Sequence, residues 1–397
     1  MPLLEVGDGE SVLDRAADVA HRHLALDCVF IAELSVDELV FRAVAGDAVS
    51  FGVAHGQRRS RTATLSHRLV VGDIPRFIND THADPRIAAL PGTGAVGAYV
   101  GAPLRHSDGT VYGAIFGLAS KPDTTLDERD VRFLEMLSEL LAGYLDGARE
   151  TDLLQSEMSD LIARERLDIA AQPVISLRDG ACLGLEALSR FPSGTTTPAE
   201  TFAAAGRVGL DFELERLAVR RAWPLLALLG PRQFLTVNLS PGATAALSRR
   251  ASRLADLPLS QLVVEITEHS MIAGYDDLRD VLRPLRKAGL RVAIDDAGAG
   301  YASLRHVVEL RPDFIKVDRE LVHGLADDHA RRVAISAFVL LALDLDATVI
   351  AEGLERPADL AALYDLGVDA AQGFLLGRPT TNHDEIHSML GSRLRMS

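Results

Sequence analysis

Residues 291–317 read RVAIDDAGAGYASLRHVVELRPDFIKV: two β-rich apolar runs, 291–295 and 314–317, are separated by a stretch long enough for a helix. The alternation recurs outward in both directions. Comparable runs lie at 169–177, 182–188, 234–239, 262–267, 348–351 and 371–376, most of them followed by a helical stretch. Eight such strands over roughly 250 residues predict an α/β fold, a TIM-like (β/α)8 barrel whose active site collects at the C-terminal ends of its strands.

Polar residues stand at or just after those strand ends: Glu186, Asn238, Glu265, Asp295 with Asp296, Lys316, Glu352 and Gln372. Taken singly, a strand-end carboxylate is ordinarily solvated or paired with arginine, and a lone lysine is ordinarily surface charge. The series overturns that reading. So many acids above buried strands repel one another unless a cation or a site function compensates. Four carboxylates and one amide oxygen, from Glu186, Asn238, Glu265, Asp295 and Asp296, form a hard ligand set suited to Mg²⁺ or Mn²⁺. An adjacent Asp-Asp pair can share one carboxylate between two ions, which phosphodiester hydrolysis wants about 3.5–4 Å apart.

The rest of the chain sets the context. With 397 residues and 48% hydrophobic content there is apolar material for two cores. We expect an α+β module over 1–150, a helical linker over 151–165 and the barrel over 166–397. In the first module a helix is expected from Ser11 to His23, strands over 28–34, 38–44, 97–104 and 110–119, and a hairpin turn at Asp108-Gly109. Thr124 and Thr125 read as N-caps of a helix whose face carries Val131, Leu134, Leu137, Leu141 and Leu145. A second apolar series, Leu153, Leu154, Met158, Leu161 and Ile162, is either a helix packed on its own domain or a dimer coiled coil, with Gly143 and Gly147 interrupting the pattern. The net charge of −15 argues against a nucleic-acid polymer as partner. Two cysteines, Cys28 and Cys182, make neither a disulfide framework nor a zinc site, which fits a reducing cytoplasm. No apolar run is long enough for a membrane span, and no anchor is expected.

Glu186-Ala187-Leu188 followed by Arg190 resembles the signature of the EAL cyclic di-GMP phosphodiesterases. The ordered series strengthens the resemblance: Gln172-Pro173, Val237-Asn238-Leu239-Ser240, Glu265-Ile266-Thr267-Glu268, Asp295-Asp296, Ile315-Lys316-Val317-Asp318, Ala351-Glu352-Gly353-Leu354-Glu355 and Gln372-Gly373-Phe374. It covers about residues 155–390. The resemblance implies two Mg²⁺ or Mn²⁺ ions per active site and hydrolysis of cyclic di-GMP to linear pGpG. Glu186, Asn238, Glu265 and Asp295 would bind the first metal, with Asp295 shared and Asp296 holding the second. It makes Glu352 the general base, Lys316 the group that orients the attacking water and Glu355 a support for the second metal's waters. Gln172, Leu188, Arg190, Asp318 and Gln372 match ligand-contacting positions. Glu268 matches the anchor of a loop coupled to dimerisation, so a homodimer is expected. That loop departs from the family pattern, because Asp296 is followed by Ala297-Gly298-Ala299-Gly300-Tyr301-Ala302-Ser303.

The N-terminal half resembles a GAF sensory domain through Tyr99-Val100-Gly101-Ala102-Pro103-Leu104 and the Asp108-Gly109 hairpin. No ligand is carried over with it, since domains of this fold share architecture more than chemistry. The main rival to a regulated enzyme is a silent cyclic di-GMP receptor. Such receptors lack ligands or the base, and every one of those residues is present here. A third reading is a barrel acting on another phosphodiester.

Overall fold

The computed structural model describes residues 11–88, 90, 92–192, 197–249, 258–267, 274–298 and 302–393. The chain divides into two compact units, Met1–Leu153 and Leu154–Ser397.

In the first unit six antiparallel strands lie in the order β3-β2-β1-β6-β5-β4. They are β1 (Cys28–Leu34), β2 (Glu38–Gly46), β3 (Arg58–Ser60), β4 (Phe77–Ile78), β5 (Ala98–Arg105) and β6 (Val111–Ala119). Alternation along β1 sends Val29 and Ile31 to one apolar cluster and Cys28, Phe30 and Ala32 to another. The first cluster is closed by Val12–Leu24, which Ser11 and Asp14 start with a capping box, and by residues such as Val131, Leu134, Leu141 and Leu145. The helix that carries those residues runs unbroken over Glu128–Ala163, with Gly143 and Gly147 inside it. One expectation differs. The threonines do not cap this helix. Thr125 spends its hydroxyl on Asp123 (2.6 Å), and Asp127, next to the first helical residue, accepts from the Arg129 amide (2.7 Å).

The second unit is a closed barrel of eight strands. These are β7 (Asp168–Ser176), β8 (Cys182–Arg190), β9 (Phe234–Asn238), β10 (Leu262–Thr267), β11 (Arg291–Ala297), β12 (Phe314–Val317), β13 (Thr348–Ala351) and β14 (Ala370–Ala371). The α/β class and barrel match the expectation, with one difference. β7 runs antiparallel to both its neighbours, β8 and β14, because no helix separates β7 from β8. The chain turns back at once through Gly180, at φ 70°. β14 is shorter than expected and ends before Gln372.

Period two along the strands sorts the interior into layers. Val174, Phe234, Val263, Ala293, Phe314, Ile350 and Ala370 form one apolar cluster. Two residues further along each of these strands or just past its end, counted against chain direction for antiparallel β7, come Gln172, Thr236, Glu265, Asp295, Lys316, Glu352 and Gln372. The polar layer therefore rests on an apolar floor, and the side chains between them pack outward against the helices. Met158 and Leu161, near the end of Glu128–Ala163, pack with Leu167, Leu214 and Leu217 of this unit. No helix among the described residues is long and apolar enough to cross a membrane.

Candidate active site

Two groups of carboxylates converge at the barrel mouth: Glu186, Glu265 and Asp295, and Asp295, Asp296 and Glu352, with ligand oxygens in each group all within 4.8 Å of one another. Asp295 belongs to both. In a regular strand, adjacent Asp295 and Asp296 would face opposite sides. Here the β11–β12 register shifts between Ile294 and Ala297, and Asp296 takes φ 55°, so the local bulge delivers both carboxylates to one cluster. Aspartate tolerates that left-handed conformation better than most residues.

Lys316 rises into the middle, 1% exposed. Its Nζ lies 2.7 Å from Glu265 Oε1, 2.7 Å from Glu352 Oε1, 2.9 Å from Asp295 Oδ1 and 3.3 Å from Glu186 Oε1. None of the three closest contacts has hydrogen-bond direction, which leaves the ammonium and those three oxygens without a directed partner. Electrostatics explains why one lysine does not satisfy the cluster. Each ionised carboxylate pair within 4.8 Å repels by about 3.5 kcal/mol or more at an effective dielectric of about 20, and each Lys316 contact returns about 5 kcal/mol. Three such pairs in each group roughly cancel the four attractions before burial is counted.

The titrations follow. Burial pushes the Glu265 carboxyl well above the usual range; Lys316 opposes this, while Glu186 and Asp295 reinforce it. Glu352 is likewise raised well above its ordinary value, first by burial and then by Asp295, Glu186 and Glu265 against Lys316. For Lys316 burial acts to lower the pKa, but Asp295, Glu186, Glu265 and Glu352 together hold it well above the ordinary lysine value. A buried, oxygen-only donor set with excess negative charge and undirected oxygens fits a divalent cation such as Mg²⁺ or Mn²⁺.

The remaining expected residues surround this cluster. Asn238 donates its amide to Glu265 Oε2 (2.9 Å). Gln372 donates to Gln172 Oε1 (3.0 Å) and to Glu186 Oε2, and Gln172 in turn donates to Gly377 O (2.9 Å). The antiparallel register of β7 is what sets Gln172 opposite Glu186. Leu188 and Arg190 line a cavity of about 450 Å³ together with Asn238, Ser240, Phe202 and Glu215. Asp318 uses one oxygen to cap the short helix Arg319–Val322 through the Glu320 amide (2.7 Å). Glu355 is exposed beyond β13. Glu268 and Ala299–Tyr301 lie outside the described residues. Gly298 does require glycine, being at φ 104° where a Cβ would strike Leu321.

One residue escaped sequence reasoning. Glu215, on the helix Asp211–Ala222, accepts from the Ser240 hydroxyl (2.9 Å) and amide (3.2 Å), and burial raises its carboxyl pKa. It braces the segment just after Asn238 from 25 residues away in sequence. No motif marks it.

The geometry agrees with the comparisons. The sequence profile of the EAL domain matches residues 155–379, and that of a GAF domain matches 8–146. This chain belongs to the EAL domain family, with a GAF domain preceding the barrel. The bifunctional diguanylate cyclase/cyclic di-GMP phosphodiesterase MucR of Pseudomonas aeruginosa is 30% identical over 249 residues, 58% of this chain and 36% of that protein. The cyclic di-GMP phosphodiesterase NbdA of the same organism is 29% identical over 238 residues, 57% of this chain and 30% of that one. The aligned region is about a third of the length of such curated relatives. Among solved structures, the PaMucR phosphodiesterase in complex with c-di-GMP superposes with a TM-score of 0.52 at 29% identity, covering 59% of this chain and 99% of that one.

Proposed function

We propose that the chain is a metal-dependent phosphodiesterase that hydrolyses cyclic di-GMP to linear pGpG, with residues 1–150 as a sensory domain, 151–165 as a helical linker and 166–397 as the catalytic domain. The observation that carries this is the pair of carboxylate groups sharing Asp295 around Lys316. Glu186, Glu265 and Asp295, with Asn238, would hold one Mg²⁺ or Mn²⁺; Asp296 and Asp295, next to Glu352 and with support from Glu355, would hold a second. The bound ions supply an acidified water and charge neutralisation at the scissile phosphate.

The chain's own residues do the rest. Glu352, raised in pKa by its setting, accepts the proton of the attacking water. Lys316 orients that water or the phosphate oxygen with a charge that does not titrate at working pH. Arg190 meets phosphate oxygens in a forked geometry. Leu188, Gln172, Asp318 and Gln372 bound the ligand, and the cavity of about 450 Å³ beside Asn238 has the size of a small-molecule site.

The working unit in this proposal is a homodimer. Leu304 and Val308 on Ala302–Leu310, and Val333, Leu340 and Leu343 on His329–Leu345, stand exposed on helices that lie in sequence between β11 and β12 and between β12 and β13. Both cysteines are free, which suits a reducing cytoplasm. The test is to incubate the full chain with cyclic di-GMP and Mg²⁺ or Mn²⁺ and to separate the nucleotides. Cleavage to pGpG that EDTA abolishes is expected; intact cyclic di-GMP at saturating metal rejects the proposal.

A further inference from the structure

We propose that Lys316 is the built-in cation of the carboxylate cluster: its ammonium neutralises, in the metal-free chain, the same carboxylates that a divalent ion takes up, so that metal loading is an exchange of ammonium for metal. This rests on the reading of the cluster as a metal site and adds a role to Lys316 that precedes catalysis. Three observations carry it. The Nζ lies within 3.3 Å of oxygens from all three members of the first group, Glu186, Glu265 and Asp295, and contacts Glu352 as well. An ammonium has three protons to direct, yet here it faces four carboxylate oxygens, so its charge is shared by the whole cluster, as an ion's would be. Its stem is confined, since β12 buries Phe314 in the apolar floor and Lys316 stands two residues above it. The ammonium thus remains inside the barrel while free, and it competes for the ligands on loading.

Two consequences separate this role from a purely catalytic or packing one. Without the ammonium, the metal-free cluster is a set of uncompensated buried charges, so stability becomes dependent on metal. Without the competitor, metal binds more tightly even though a residue of the site has been removed. Lys316→Met in the full chain, stripped of metal, is to be followed by thermal unfolding in EDTA and in saturating Mn²⁺, and by Mn²⁺ titration calorimetry. We expect the unfolding temperature in EDTA to fall by about 10 °C, with most of the loss recovered in Mn²⁺. The tightest Mn²⁺ site is expected to gain about tenfold in affinity. If Lys316→Met does not fold in EDTA, Lys316→Met combined with Glu265→Gln removes a carboxylate together with the cation, and this pair folds in EDTA.

Mn²⁺ binding to Lys316→Met no tighter than to the parent overturns the proposal. So does a stability loss that Mn²⁺ does not narrow, or a double variant less stable in EDTA than the single one. A parent chain that takes up no Mn²⁺ overturns the metal reading itself; that failure is distinguishable, because an error about Lys316 alone leaves the parent's binding intact.

Discussion

Replacing Asp296 by glycine sets stability against function. Asp296 holds φ 55° at the bulge of β11. A left-handed residue bearing a Cβ costs about 1–2 kcal/mol, less for aspartate, and glycine removes that cost. Glycine's greater freedom in the unfolded chain takes back about 0.4–1 kcal/mol. The substitution also removes a negative charge whose oxygens lie within 4.8 Å of those of Asp295 and Glu352. These backbone and charge contributions favour the variant by about 1 kcal/mol and the interaction that Asp296 makes in the parent offsets them, so the metal-free unfolding temperature should stay within roughly 4 °C of the parent's for a domain of this size. The same change deletes one of the three carboxylates of the second group, so the Mn²⁺ concentration for half-maximal cleavage should rise by about tenfold or more. Calorimetry in EDTA and Mn²⁺ activation curves with cyclic di-GMP measure the two effects separately. A variant whose metal-free unfolding temperature falls by more than that, or one activated at the parent's Mn²⁺ concentration, refutes the reasoning.

Glu352→Gln should lower turnover by about 10²–10⁴-fold while equilibrium binding of cyclic di-GMP survives, since the amide keeps the shape and loses the proton acceptor; near-parental pGpG formation would remove Glu352 from that role. The raised carboxyls of Glu265 and Glu352 carry a pH dependence. An acid whose folded pKa lies above its unfolded value contributes stability that is complete below the unfolded pKa and is lost as pH rises through the folded one. The thermal stabilisation by Mn²⁺ should accordingly grow as pH rises from the ordinary carboxylate range through these raised values, and a gap independent of pH would count against the shifts. Burial pushes the Cys28 and Cys182 thiols to about 11, so the native chain should leave Ellman's reagent unreacted at pH 8 and release both thiols on denaturation. A chain beginning at residue 151 should fold and cleave with an altered rate and weaker dimerisation. One beginning at 165 should lose stability, because it lacks the contacts of Met158 and Leu161 with Leu167, Leu214 and Leu217; equal unfolding temperatures for the two would contradict this.

Much of the barrel was legible because its determinants are local and periodic. Val263 and Glu265, Ala293 and Asp295, Phe314 and Lys316, and Ile350 and Glu352 are each two residues apart. Alternation alone therefore puts the apolar member below and the polar member above on one face of the same strand. The order of the strand-end acids pointed to divalent metal, since excess negative charge above an apolar floor needs a cation. The Asp108-Gly109 hairpin and the helix capped by Ser11 were local readings too, set by turn and cap chemistry. Tertiary structure decided what depends on residues distant in sequence. The short turn makes β7 antiparallel to β8 locally, but its pairing with β14 appears only when the barrel closes, because those two strands are the first and last of the barrel in sequence. The bulge that turns both Asp295 and Asp296 into one cluster comes from the pairing of β11 with β12, and alternation by itself would have sent them to opposite faces. Glu215 reaches Ser240 only through the packing of its helix on the barrel. The position of Lys316 among four carboxylates likewise exists only in the closed barrel, since the charges that hold it come from three other strands and the residue just after a fourth, and no short-range pattern records the distance between them.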